Sequence, residues 1–99
     1  MEKLVRDNIP EIMQRLGKTF ILRIVKDDDE FFRFLLEKLK EEVEEFAQSG
    51  NKEELADIFE VILEIMRLKG WSMKEIEGIR KRKLQERGGF SKRFVLRIL

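Results

Sequence analysis

Two apolar periodicities, separated by three residues, constrain this chain more than any other feature. From about Glu30 to Gln48, the residues Phe32, Leu35, Leu36, Leu39, Val43 and Phe46 recur at steps of three and four. From about Lys52 to Lys69, Leu55, Ile58, Phe59, Ile62, Ile65 and Met66 do the same. Such spacing lays one apolar stripe along each of two helices. Ser49-Gly50-Asn51 breaks the pattern, and so short a connection makes the two helices an antiparallel hairpin. Asp27 to Asp29 offer an N-cap and an acidic first turn to the first long helix, and Gly70 offers a C-terminal stop to the second.

The flanks add shorter elements. Asp7 or Asn8 can cap a short first helix, with Pro10 in its first turn and Gly17 at its end. Ser72-Met73-Lys74-Glu75 reads as a capping box that opens a last helix, closed by Gly88-Gly89. Phe20, Leu22 and Ile24 alternate within Lys18–Val25, and Arg93–Leu99 alternates in the same way. Both stretches read as strands that could pair with one another, a marginal arrangement unless a helix covers it. At 99 residues the chain is one domain, residues 1–99. The expected fold is mainly α, a hairpin-based bundle of about four helices with a small two-stranded β element. A core this modest leaves apolar surface over, so a homodimer or a higher even assembly is expected.

Composition narrows the chemistry. There is no Cys and no His, which excludes disulfides, thiolate metal sites, histidine acid–base catalysis and nearly all zinc enzymes. Lys and Arg number 21 against 20 Asp and Glu, too even for a binder of nucleic-acid duplexes. No apolar run approaches a membrane span, and Met1–Asp7 has no apolar signal core, so the expectation is a cytoplasmic domain without a membrane partner. Whatever reacts here must use carboxylates, amines, hydroxyls or an oxygen-ligated cation.

The phase of the acids is therefore informative. Each residue turns a helix by roughly 100°. With Lys38 at zero, Glu37 and Glu44 point away from the apolar stripe, where solvated acids belong. Glu42 and Glu45 instead stand at the stripe's edge, with Lys38 between them and Glu41 just outside. On the next helix Glu54 shares its direction with Val61, Ile65 and Leu68, and Asp57 lies beside them, while Glu53, Glu60 and Glu64 face outward. Two acid pairs, Glu42/Glu45 and Glu54/Asp57, are thus half-turned into the packing face. Carboxylates crowded near apolar surface need compensation. Either an ion-pair network or a hard divalent cation, Mg²⁺ or Mn²⁺, would supply it.

The acids also carry a resemblance. Glu41-Glu42-Val43-Glu44-Glu45 reads E-E-x-x-E, and Glu54-Leu55-Ala56-Asp57 reads E-x-x-D, on consecutive packed helices. This resembles the signature of the MazG-like all-α nucleoside triphosphate pyrophosphohydrolases. Lys3–Pro10, Glu53–Asp57 and Arg87–Phe90 extend the likeness over nearly the whole chain, towards a house-cleaning branch. The resemblance implies a Mg²⁺-dependent enzyme that cleaves a nucleoside triphosphate, a non-canonical one, between the α- and β-phosphates, releasing a monophosphate and pyrophosphate. Glu42, Glu45, Glu54 and Asp57 would then be metal ligands, Glu41 a further ligand or the group that orients the attacking water, and Glu41 and Glu42 the catalytic pair. Val61 stands where phosphoribosyl-ATP pyrophosphohydrolases carry a histidine, and the two motifs lie closer together than in many relatives. The short spacing requires the helices to turn back quickly, and the missing histidine counts against phosphoribosyl-ATP, with a pyrophosphohydrolase of another such metabolite as the alternative.

Lys38, in phase with the acids, and Arg80, Lys83 and Arg87 of the last helix are the candidates for phosphate contact. The last three could equally balance the acids as a solvated basic surface, or be given by a partner chain. Arg6 and Asp7 could pair with each other or touch substrate. The rival to an enzyme is a helical interaction module whose acids only solvate it.

Overall fold

The structure, a computed structural model, describes residues 2–99. Four helices follow in order: α1 (Ile9–Arg15), α2 (Asp28–Ser49), α3 (Lys52–Lys69) and α4 (Met73–Arg87). The two long ones form the expected hairpin and hold the only extensive interhelical packing among the described residues.

Local chemistry explains their ends. The Asp27 carboxylate accepts from the Glu30 backbone N–H at 2.8 Å and so starts α2. Gly50 stops it in the left-handed region, φ 66°, its N–H donating to the Phe46 carbonyl at 2.8 Å. Only Gly50 and Asn51 separate α2 from α3, which forces the reversal. The capping box is present in full: Ser72 Oγ accepts from the Glu75 N–H at 3.1 Å, and the Glu75 carboxylate accepts from the Ser72 N–H at 3.0 Å. At α1 neither expected cap operates. Asn8 occupies the N-cap position without a side-chain hydrogen bond, and Pro10 lies in the first turn.

The core is small and sits between α2 and α3. Leu35, Val61 and Met66 are buried, and Glu42 is buried with them. The face of α3 turned to α2 is not the centre of its apolar stripe. Val61 is buried and Ile65 half-buried, while Leu55, Phe59 and Ile62 lie open. On α2, Leu35 is inside and Leu36 and Val43 are open. Each helix carries a wider apolar arc than the hairpin contact uses. At roughly 100° per residue in two antiparallel helices, the unused arcs fall on one common side. The acids fall on the other.

No strand exists among the described residues, so the expected two-stranded element is not formed. Residues 18–25 and 93–99 run without a ladder. Alternation places side chains on two faces, but neither face of either segment finds a layer to pack on. Ile21, Leu22 and Ile24 are exposed, as are Phe94, Val95, Leu96 and Ile98. The first segment is held instead by Arg23, which pairs with Glu2 at 2.7 Å and with Glu30 at the start of α2 at 2.9 Å. Two unsupported strands would be marginal in water.

Candidate metal centre

The acidic side of the hairpin is where the sequence-derived candidates converge. Glu42 of α2 and Glu54 and Asp57 of α3 each place a carboxylate oxygen within 4.8 Å of the other two. The helical step of three brings Glu54 and Asp57 to one edge of α3, and the hairpin sets Glu42 opposite them.

Glu42 is the informative member. Its relative exposure is 6%. One oxygen, Oε1, meets Lys38 Nζ at 3.3 Å. The other, Oε2, is buried with no hydrogen-bond partner. A buried unsatisfied oxygen costs about 1–3 kcal/mol, more when charged, and it stands beside two further acids. Burial raises the Glu42 pKa above the usual carboxylate value, and the charges of Glu45 and Asp57 push the same way, against the opposing pull of Lys38. Glu41 goes the other way. Its partial burial would raise it, but Lys3 at 3.3 Å and Lys38 at 3.5 Å outweigh that and lower its pKa.

The donor set fits a hard cation. Three carboxylate oxygens within 4.8 Å of one another are the hard-oxygen donors that Mg²⁺ takes. Glu42 also carries a buried oxygen without a hydrogen-bond partner.

Beside the acids opens a cleft of about 580 Å³, roofed by residues 4–9 of the N-terminal segment and floored by Phe31, Leu35 and Val61. Lys38, Glu42 and Asp57 line it, and Arg6 reaches in from the roof. Arg6 Nη2 donates to Asp57 Oδ1 at 2.6 Å. The cleft is large enough for a small ligand.

The structure thus brings together Lys38, Glu41, Glu42, Glu54 and Asp57. Glu45 is outside the three-acid group, exposed and facing the neighbouring hollow with Glu41. Arg80, Lys83 and Arg87 are exposed on α4 and do not line the cleft. Arg80 is spent on Glu77, one turn away on its own helix. α4 has few apolar residues and buries none, so nothing draws it onto the acidic side. Lys3 and the Arg6–Asp57 pairing were not legible in advance. The partners are 38 and 51 residues apart, and the only local signal is a basic residue on either side of Leu4-Val5. Arg6 turns to Asp57, not to the adjacent Asp7.

No family model matches the chain, and no solved structure matches it. An uncharacterised protein of Mycolicibacterium smegmatis is 40% identical over 53 residues, which are 54% of this chain and 53% of that protein. The match therefore spans about half the length of each, and it adds no chemistry to the site described above.

Proposed function

We propose that the chain is a Mg²⁺-dependent nucleotide pyrophosphohydrolase, cleaving a nucleoside triphosphate between the α- and β-phosphates to a monophosphate and pyrophosphate. The carrying observation is the three-acid group Glu42, Glu54 and Asp57, with one Glu42 oxygen buried and unpartnered, beside a cleft that Glu42 and Asp57 line. The resemblance of the E-E-x-x-E and E-x-x-D motifs to MazG-like enzymes supports the same reading.

Glu42, Glu54 and Asp57 would hold the cation, and the resemblance adds Glu45 as a fourth candidate ligand. When bound, the ion neutralises phosphate charge and makes the bridging oxygen a better leaving group. Glu41, paired with Lys3 and Lys38 and kept ionised by them, is the carboxylate that would orient the attacking water. Lys38, half-buried between Glu41 and Glu42, meets the charge that builds on the phosphate oxygens. The apolar floor of the cleft shields one side of the reacting group from bulk water.

The same reading includes self-association. The accessible surface is 9288 Å², whereas a compact chain of 11.9 kDa exposes about 5,900 Å². The radius of gyration is 17.6 Å, against about 13 Å for a compact domain of this length. Part of the surplus is the extended segments, and part is the open side with Leu36, Leu55, Phe59 and Ile62. One subunit of an obligate interface covers about 1,000–2,500 Å², which this surplus accommodates. A homodimer or higher even assembly would cover it, and a partner's α4 could then carry Arg80, Lys83 or Arg87 to the cleft.

Pyrophosphate release from a panel of standard and damaged nucleoside triphosphates, phosphoribosyl-ATP included, with Mg²⁺ or with chelator, tests the activity. Release only with Mg²⁺ supports it. No release from any of them, together with no divalent-cation binding, leaves the interaction-module reading in its place.

A further inference from the structure

Three cationic side chains occupy the acids of the site: Lys3 on Glu41, Lys38 on Glu41 and Glu42, and Arg6 on Asp57. The cleft lining itself sets two cations, Lys38 and Arg6, among the acids Asp7, Glu42, Asp57, Glu60 and Glu64. Lys38 is internal to α2 and serves two acids at once. Arg6 differs in every respect. It comes from an irregular lead-in, before α1. Its side chain is 57% exposed, and a single N–H of the guanidinium engages the carboxylate. The rest of a five-donor fork stays open towards the cleft it lines.

A divalent cation held by Asp57 would compete with Arg6 for that carboxylate. A guanidinium and a dication on one carboxylate repel each other at short range. The guanidinium is the mobile partner, and planar, bidentate donation to phosphate oxygens is its best alternative. We propose that Arg6 is a hand-over residue: it holds Asp57 in the metal-free chain, is displaced when the cation binds, and then grips the phosphates of the ligand in the cleft. This rests on the cation-dependent reading above and adds a competition to it. Arg6 opposes cation binding and favours phosphate binding, so the two affinities move in opposite directions when it is removed. A residue that merely anchored the N-terminal segment would weaken both or change neither.

Calorimetric titration of the whole chain tests this, first with Mn²⁺ alone and then with inorganic triphosphate at saturating Mn²⁺, a probe that needs no base recognition. In Arg6→Gln, Mn²⁺ should bind about fivefold more tightly and triphosphate about tenfold more weakly, a coupling of ordinary size. Arg15→Gln removes an equal charge from an exposed pair with Glu11 on α1, and should change neither. Arg6→Lys keeps the charge without the fork. It should leave Mn²⁺ affinity near wild type and still lose triphosphate, and it decides the matter should Arg6→Gln not fold. Mn²⁺ binding by the wild type with equal or weaker affinity in Arg6→Gln would overturn the hand-over alone. Absence of Mn²⁺ binding in the wild type would overturn the metal-site reading and the hand-over with it.

Discussion

The two sides of the α2–α3 hairpin are made by the same helices and end in opposite conditions. One side carries Leu36, Val43, Leu55, Phe59 and Ile62, all open. The other carries Glu42, Glu54 and Asp57, hemmed by Lys38 and Arg6 under the N-terminal segment. Three acids are covered or half-covered while five large apolar side chains stay open, the reverse of what solvation alone would select. A covered acidic side with an unpartnered oxygen is a site awaiting charge. The difference teaches that the hairpin contact leaves part of each apolar arc open while it half-covers the acids.

Breaking the acidic side should have the largest effect. Asp57→Asn and Glu42→Gln should each lower pyrophosphate release by about a thousandfold, the range for losing electrostatic stabilisation of a transition state. Circular dichroism should show retained helix. Breaking the apolar side comes next. Phe59→Glu, on a side chain 58% exposed, should shift the chain to monomer in light scattering without unfolding it.

A smaller effect separates the sides by pH. The raised Glu42 pKa means that the folded chain holds this proton more tightly than the unfolded chain. Its contribution to stability is complete at acid pH and is lost as pH rises through the raised value. Glu41, with its lowered pKa, contributes above the ordinary carboxylate range, and that part is lost as pH falls through the lowered value. Without divalent cation, Glu42→Gln should raise the Tm near neutrality by about 4 °C, on the scale of 1 kcal/mol for a small domain. The gain should vanish at acid pH and reverse when Mg²⁺ is added. The smallest effect belongs to neither side. Glu77→Gln frees Arg80 on an exposed turn of α4, and the Tm should not move.

Much of this arrangement was legible in the sequence because its causes are local. Asp27, Gly50, Gly70 and the Ser72–Glu75 box mark helix ends through bonds that span three or four residues, and α3 runs over Lys52–Lys69 as its periodicity implies. Helix phase placed Glu42, Glu54 and Asp57 near the packing face for the same reason. What escaped depends on distance. Alternation in residues 18–25 and 93–99 describes a strand only if another strand lies alongside, and here none does. Arg6 finds Asp57 across 51 residues, which no periodicity encodes. The basic run on α4 was read from its charge alone, but its position follows from how little apolar surface α4 has to bury.

The central claim is that the acidic side holds a cation that works on a triphosphate. Phosphorus NMR of a nucleoside triphosphate incubated with the protein tests it most directly. With Mg²⁺ the account predicts paired growth of monophosphate and pyrophosphate signals, absent with chelator and absent in Asp57→Asn. An unchanged spectrum from every triphosphate tried, or release of diphosphate and inorganic phosphate, would contradict it.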